Sequence, residues 1–267
     1  MVKIALDAGH GLDTPGKRSP ADEREWSFNN TVLLACRAAL EEYADVQILR
    51  LDDPTGKRDI PLKERADKAN QWGADVLVSI HHNAMNGIWH SGGGVETYIF
   101  SNASKAPQDI AALIHPGIVS AMGLRNRGIK TANFYMLRES WMPAVLTEGG
   151  FMDSTIDIHS LRNDDKLNAQ GSVLAEALAK YFGLKRKPGM AHALIKPKED
   201  TELKFSSGTL KREYEMFLKS KTQREIIVKA AVEAGYSGKW IKALAEGKVT
   251  DGDLVMLGLG ALIRAAK

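Results

Sequence analysis

The chain has 267 residues, of which 44% are hydrophobic and 26% are charged, as in an ordinary folded globular protein. A formal net charge of +3 is too small to indicate nucleic-acid binding, and a single cysteine, Cys36, excludes an internal disulfide and a cysteine-rich zinc site. No apolar run has signal-peptide or membrane-spanning length, so we expect synthesis in a cytoplasm without membrane insertion.

Short apolar segments rich in β-branched residues alternate along the first two thirds of the chain with longer segments of helical pattern. The predicted strands cover residues 2–8, 46–51, 75–82, 94–100 and 144–150. The predicted helices cover residues 25–43, 62–73, 106–123 and 165–183. This alternation predicts an α/β domain over residues 1–184, with a mostly parallel twisted sheet that helices flank on both faces.

The sequence changes character after Leu184. Residues 185–207 combine prolines, glycines and dense charge without a sustained period, which predicts a linker. Residues 208–267 contain four segments of helical length, which predict a small all-α bundle. Residues 196–267 hold 14 basic and 10 acidic side chains, a surplus that attraction to an anionic polymer and ordinary solvation of surface lysines explain equally well. A role of the bundle in oligomerisation alone is also open. The candidate binding residues are Lys211, Arg212, Lys239 and Lys242.

The loop after the first predicted strand contains Gly11, Gly16 and Lys17 at the spacing of a phosphate-binding loop. Arg18 stands where that motif requires Ser or Thr, and a proline at position 20 interrupts the chain before a helix can begin. A nucleotide-binding protein is therefore kept only as an alternative interpretation.

Polar side chains stand where three of the predicted strands end, and ligands of open α/β sheets bind at the carboxyl ends of strands. A further carboxylate, Glu23 or Glu25, lies near the start of the first helix. Two imidazoles and one carboxylate without thiols are typical ligands of a catalytic zinc ion, and a second carboxylate can act as general base. The strand-end candidates are His10, His81 or His82, and Glu148.

Each candidate also has a structural alternative. Only one of His81 and His82 can face the site, because neighbouring strand side chains point to opposite faces of the sheet. Glu25 could instead be the partner of Asp22 in a capping box. Glu148 is harder to explain in this way, because an unpaired buried carboxylate is unfavourable unless a metal or its bound water lies beside it.

Five segments, taken in order, resemble a known family. They are LDAGHG (6–11), EWSFN (25–29), the run from Arg65 through ADVLVSIHHNA (74–84), GVETY (94–98) and PAVLTEGGF (143–151). Over residues 2–182 this set resembles the zinc-dependent N-acetylmuramoyl-L-alanine amidases of bacteria and their phages. The resemblance implies one zinc ion held by His10, Glu25 and His81, with Glu148 as catalytic glutamate. The implied substrate is peptidoglycan, cleaved at the amide between N-acetylmuramic acid and L-alanine.

A catalytic domain followed by a linker and a basic bundle also resembles phage endolysins. This implies an enzyme that accumulates in the host cytoplasm and reaches the wall after a separate membrane protein opens a pore. Its implied partners are peptidoglycan and an anionic wall polymer, and the competing interpretation is a non-catalytic wall-binding module. Candidates for lining the substrate groove, on loops expected at the same edge of the sheet, are Asn83, Trp89, Arg138 and Trp141.

Overall fold

A computed structural model describes residues 1–188 and 221–249, together with positions 254 and 257. The chain divides into two compact units, residues 1–194 and 195–267. Lys211 and Arg212 lie outside the described residues. Within the described part of the chain, no helix is both long enough and apolar enough to cross a membrane.

The first unit alternates strands and helices, as the sequence predicts, and contains one strand and two short helices beyond those predicted. Its strands are β1 (Val2–Ala8), β2 (Val46–Arg50), β3 (Val76–Asn83), β4 (Val95–Phe100), β5 (Asn126–Ala132) and β6 (Ala144–Phe151). Its helices are α1 (Glu25–Leu40), α2 (Leu62–Trp72), α3 (Lys105–Met122), α4 (Tyr135–Arg138), α5 (Ile158–Leu161) and α6 (Asp164–Phe182).

The six strands form one sheet in the order β2-β1-β3-β6-β4-β5. The first four of these strands are parallel to one another, whereas β4 pairs with β6 in the antiparallel direction and β5 is parallel to β4. The predicted fold class, a mostly parallel sheet with helices on both faces, is confirmed. Because β4 and β5 run the opposite way, they begin at the edge where β1, β3 and β6 end.

Helices cover the two faces of the sheet unequally. One face carries the larger apolar core, in which Ile4 and Val78 of the sheet pack with side chains of α1, α3 and α6. The other face carries a smaller core, in which Leu77 and Leu146 pack with α2 and α4. Burial on both faces explains why the strand sequences are continuously apolar rather than alternating.

The first residues after α6 stay bonded to the first unit. The amide of Ala44 donates to the carbonyl of Lys185, and the amide of Lys187 donates to the carbonyl of Glu42. The Arg186 guanidinium pairs with the Glu42 carboxylate. Residues 185–188, which the sequence assigns to the linker, thus form part of the first unit, while the rest of the predicted domain division stays a prediction.

The described part of the second unit contains α7 (Lys221–Glu233) and α8 (Lys239–Ala245). They match two of the four predicted helical segments, 222–235 and 239–247. Around them lies a small apolar cluster whose buried members are Val228, Ala231, Val249, Leu254 and Leu257. Lys239 and Lys242 are both exposed on α8.

Candidate active site

Three side chains from distant parts of the sequence meet at the carboxyl end of the parallel strands. His10 follows β1, His81 lies near the end of β3, and Glu25 is the first residue of α1. One ligand atom from each lies within 4.8 Å of the other two. Nδ1 of His81 is 2.9 Å from Oε1 of Glu25, and Nε2 of His10 is 3.4 Å from Oε2 of the same carboxylate. This group could hold one metal ion.

The backbone after β1 places His10 in an unusual conformation. The amide of Gly9 still donates to the carbonyl of Ile80 and so extends the sheet. His10 then has a φ of 68°, in the left-handed region that residues other than glycine seldom adopt. Such strained positions cluster at functional sites, where the surrounding structure holds them. Here the turn directs the His10 imidazole toward Glu25.

The loop before α1 explains why Glu25 rather than Glu23 faces the site. Glu23 is bound by the Arg162 guanidinium, with Nε 2.5 Å from Oε1, and it accepts a hydrogen bond from Ser19. Glu25 is buried, and Arg24 occupies the N-cap of α1 without a side-chain cap bond. The capping-box alternative for Glu25 therefore does not describe the structure, since its carboxylate pairs with the two histidines.

His82 points to the opposite face from His81, as strand geometry requires. Its Nδ1 lies 2.8 Å from Oδ1 of Asn29, whose Nδ2 donates to the carbonyl of Gly9 and approaches Oε1 of Glu25 at 3.4 Å. Because Asn29 uses its amide hydrogens elsewhere, Nδ1 of His82 is the donor in this pair. His82 thus contacts Glu25 through the side chain of Asn29. His82 is not among the three converging side chains.

The charges of the three residues depend on one another. Burial would raise the pKa of Glu25, but hydrogen bonding and the charge of His81 outweigh it and lower the pKa to about 2. Burial would lower the pKa of His81, but the same contact with Glu25 outweighs burial and raises it. Burial lowers the pKa of His10 to about 4. The contact between Glu25 and His81 thus favours the charged form of both side chains, whereas burial favours the neutral form of His10.

Glu148 of β6 is the direct neighbour of His81 in the sheet. Its Oε2 is buried and lacks a hydrogen-bond partner among the described residues. Burial raises the pKa of this carboxyl to about 8. The cleft beside it is also lined by Lys17, Glu25 and Asn83. A buried carboxyl without a partner, next to a potential metal site, is suited to accept and return a proton during a reaction.

Arg65 of α2 bonds the chain at the end of β1, next to the site. The sequence gives it no role beyond its place in a motif. It is 1% exposed. Its guanidinium donates to the carboxylate of Asp7 and to the carbonyls of Ala8 and His10. Asp7 also accepts a hydrogen bond from Ser79. The buried Arg65–Asp7 pair therefore fixes the end of β1 and the turn that carries His10.

The predicted groove residues do not lie together. Asn83 donates to Glu96 and accepts from the amide of Ala84, and Trp89 lies on the loop after β3, where it is 42% exposed. Both are at the edge of the sheet that bears the site. The expected position of Arg138 and Trp141 is wrong, because Arg138 follows the carboxyl end of the reversed strand β5 and Trp141 precedes β6. Both therefore lie at the opposite edge.

The phosphate-loop alternative finds no support in the geometry. The amide of Gly11 donates to Oγ1 of Thr14, the amide of Leu12 to the carbonyl of Gly56, and that of Lys17 to the carbonyl of Thr14. No helix begins between Gly11 and Glu25. Several of the amides that would hold a phosphate are thus already paired, and the helix N-terminus of a phosphate-binding loop is missing from this segment.

The chain is similar to known amidases in sequence and in structure. Residues 4–180 match the family model described as N-acetylmuramoyl-L-alanine amidase. The chain is 36% identical over 189 residues to N-acetylmuramoyl-L-alanine amidase CwlM of Bacillus licheniformis, covering 70% of this chain and 71% of that protein. It is 33% identical over 198 residues to the endolysin of Bacillus phage SPP1, covering 71% and 69%.

Solved structures agree with this relationship. The catalytic domain of the amidase CwlV from Bacillus (Paenibacillus) polymyxa var. colistinus matches with a TM-score of 0.63 and 28% identity, over 69% of this chain and all of that domain. The N-acetylmuramoyl-L-alanine amidase of Clostridium difficile 630 also matches with a TM-score of 0.63, at 31% identity, over 68% of this chain and 97% of that one. The chain therefore belongs to the N-acetylmuramoyl-L-alanine amidase family.

Proposed function

We propose that the protein is a zinc-dependent hydrolase that cleaves the amide bond between N-acetylmuramic acid and L-alanine in peptidoglycan. The observation that carries this proposal is the convergence of His10, Glu25 and His81 beside the unpartnered carboxyl of Glu148. The names of the bacterial relatives, N-acetylmuramoyl-L-alanine amidases, support the choice of bond.

The donor set fits zinc. Two imidazole nitrogens and one carboxylate oxygen match the ligands of catalytic zinc sites, which keep a position open for water. When bound, zinc lowers the pKa of a coordinated water molecule and polarises a carbonyl oxygen. His10 is neutral at physiological pH because its pKa is lowered, so it can serve as a ligand without first losing a proton.

Glu148 is proposed to transfer a proton from the attacking water to the leaving nitrogen. A nearby positive charge favours the ionised form of a carboxyl, so a loaded site lowers the raised pKa of Glu148 and makes it a base. Its carboxylate then accepts a proton from the attacking water and donates it to the nitrogen of L-alanine, which must be protonated to leave. The buried position next to His81 keeps this carboxyl within reach of the reacting atoms.

The test is digestion of purified cell walls by the full chain. We expect new amino termini that belong to L-alanine, together with intact glycan strands, when the products are identified by mass spectrometry. Glu148→Gln should bind one zinc ion per chain and release amino termini about 10²–10⁴ times more slowly than wild type. New reducing sugar ends in place of amino termini would overturn the proposal, as would full activity of the Glu148→Gln protein.

We further propose that the enzyme is an endolysin that reaches the wall through a pore made by a separate membrane protein. Its similarity to the SPP1 endolysin supports this role. In this proposal residues 208–267 attach the enzyme to an anionic wall polymer, with the exposed Lys239 and Lys242 among the contacts.

Truncation after residue 188 tests the attachment and leaves the first unit's bonds to residues 185–188 in place. The truncated protein should hydrolyse soluble muropeptides normally but fail to sediment with intact walls. Equal sedimentation of the two proteins would assign wall binding to the first unit. The double variant Lys239→Gln, Lys242→Gln of the full chain should sediment less well than wild type on walls that retain their anionic polymers.

A further inference from the structure

A cluster of charged side chains lies on the strands next to Glu148 and has no part in the chemistry described above. Glu96 of β4 is the direct cross-strand neighbour of Glu148, so their side chains share one face of the sheet. Glu96 is 2% exposed. Its carboxylate binds Arg127 and Lys130, both from β5. The cluster therefore begins one strand beyond the proposed proton carrier.

The backbone of β5 is distorted so that both cations reach this face. Residues 127 and 130 of a regular strand point to opposite faces, because side chains alternate. Between two consecutive pairings, however, β4 advances from Val95 to Thr97 while β5 advances from Asn126 to Ile129. The extra residue is a β-bulge, and Gly128 at its centre has a φ of 88°. Bulges of this kind re-aim side chains next to active sites.

The cluster carries more positive charge than Glu96 balances. The two oxygens of Glu96 are occupied by Arg127 and Lys130 on Oε1 and by Tyr98 and Asn83 on Oε2. Arg127 and Lys130 thus share the carboxylate of Glu96, and these three side chains together carry a net charge of +1. Arg127 donates through Nε, which leaves its Nη groups for a second acceptor. Its side chain is 27% exposed and that of Lys130 is 36% exposed.

The order of the strands gives the direction in which substrate must lie. Across the sheet, His10 follows β1, His81 stands on β3, Glu148 on β6, and the cationic pair on β5. If Glu148 protonates the leaving nitrogen, the peptide side of the scissile bond lies on the β6 side of the metal. From β6 to β5 is two strand spacings, about 10 Å, which an extended peptide covers in about three residues.

We propose that Arg127 and Lys130 form a subsite for a free carboxylate on the second or third residue of the stem peptide. This inference rests on the proposed amidase function and names the substrate feature that the same site selects. A planar guanidinium with free Nη groups and an ammonium beside it match the two oxygens of a carboxylate. Glu96, buried beneath them, holds both cations at the required position.

The test compares two synthetic muramoyl tripeptides. They differ only in whether the carboxyl proposed to bind Arg127 and Lys130, on the second or third residue, is free or is a carboxamide. The wild-type enzyme should have a KM about tenfold lower for the free acid, with similar kcat, because the lost contact is a hydrogen bond to a charged group. In Lys130→Gln and in Arg127→Gln the ratio of the two KM values should fall toward one. Lys130→Arg, which keeps the charge, should restore most of the ratio.

Lys105→Gln serves as the matched control, because it removes one positive charge from an exposed site on α3. Its KM ratio should equal that of wild type. Hydrolysis of both tripeptides by wild type with equal KM would overturn the subsite and leave the amidase function intact. Hydrolysis of neither would overturn both proposals. An unchanged ratio in both Gln variants, with wild-type melting temperatures, would also exclude the pair as the source of selectivity.

Discussion

The imidazole ring of His81 lies directly against the α-carbon of Gly9. A β-carbon at position 9 would stand 2.0 Å from Cε1 of His81 and 2.3 Å from its Nε2. No side chain fits there unless His81 moves, because non-bonded carbon atoms pack at about 3.5–4.0 Å. The position of His81 beside Glu25 therefore depends on a hydrogen atom at residue 9.

Gly9→Ala should displace His81 and weaken metal binding. We expect zinc affinity to fall by about 10–100-fold, the range seen when groups that orient a ligand are changed. Competition with a chromogenic chelator measures it. Gly92→Ala is the control, because its β-carbon would stand 3.2 Å from Nδ1 of His90, where a small shift suffices. Wild-type affinity in Gly9→Ala would show that this packing does not position the ligand.

Metal binding should release a proton from His81. The contact with Glu25 outweighs burial and raises the pKa of His81 above its ordinary value of 6.5, whereas that of His10 is lowered to about 4. A metal displaces the proton from a protonated imidazole, so zinc affinity should rise with pH. Calorimetry in buffers of different ionisation enthalpy should detect protons released on zinc binding at pH 6.5, and fewer at pH 8.5. Identical heats in all buffers at pH 6.5 would contradict this.

Replacing Arg65 should be strongly destabilising. Arg65→Met leaves the Asp7 carboxylate buried, with Ser79 as its remaining hydrogen-bond donor among the described residues, and frees the carbonyls of Ala8 and His10. Breaking a buried ion pair in this way costs about 3–5 kcal/mol of unfolding free energy.

The control for Arg65 is Arg37→Met, which removes an exposed pair with Glu41 on α1. Such pairs contribute about 0.3–0.5 kcal/mol. Urea titration of both variants gives the comparison. Values for the two variants that agree within about 1 kcal/mol would mean that Arg65 does not hold the end of β1.

The sequence predicts the buried strands of the sheet, but it does not predict contacts such as those of Arg65. Strands β1, β3 and β6 are continuously apolar, so burial on both faces is visible from composition alone. The sequence does not predict β5, because the strand, NRGIKTA, is polar and contains glycine. It is an edge strand with exposed residues, and its pairing comes from the neighbouring β4 and not from its own pattern.

The candidate site likewise has residues that the sequence predicts and positions and contacts that it does not. His10, His81 and Glu148 stand at strand ends, and the topology of a parallel sheet brings strand ends together. The placement of Arg138 and Trp141 required the direction of β4 and β5, which periodicity does not give. Contacts such as that of Gly9 with His81, 72 residues later in the chain, depend on tertiary packing that no local pattern predicts.

Glu148→Gln should have two separately measurable effects, one on turnover and one on the free energy of unfolding. Turnover should fall by about 10²–10⁴, the contribution of a positioned general base. In the metal-free protein the pKa of Glu148 is raised from 4.5 to about 8, so the folded state holds this proton more tightly than the unfolded state. Its contribution to the free energy of unfolding should decline as pH rises from about 4.5 to about 8.

Glutamine is neutral throughout that range, so the variant should gain stability relative to wild type as pH rises. Urea titrations of the two metal-free proteins at pH 5 and pH 8.5 give the difference. A constant difference in unfolding free energy at the two pH values would show that Glu148 is ionised at both.

Diffraction from crystals grown with zinc, recorded on both sides of the zinc absorption edge, tests the central claim most directly. The account predicts one anomalous peak, bonded at about 2.0–2.2 Å to a nitrogen of His10, a nitrogen of His81 and a carboxylate oxygen of Glu25, with Glu148 nearby but unbonded. An anomalous map without a peak among these three side chains, or a peak ligated by Glu148 in place of Glu25, would contradict it.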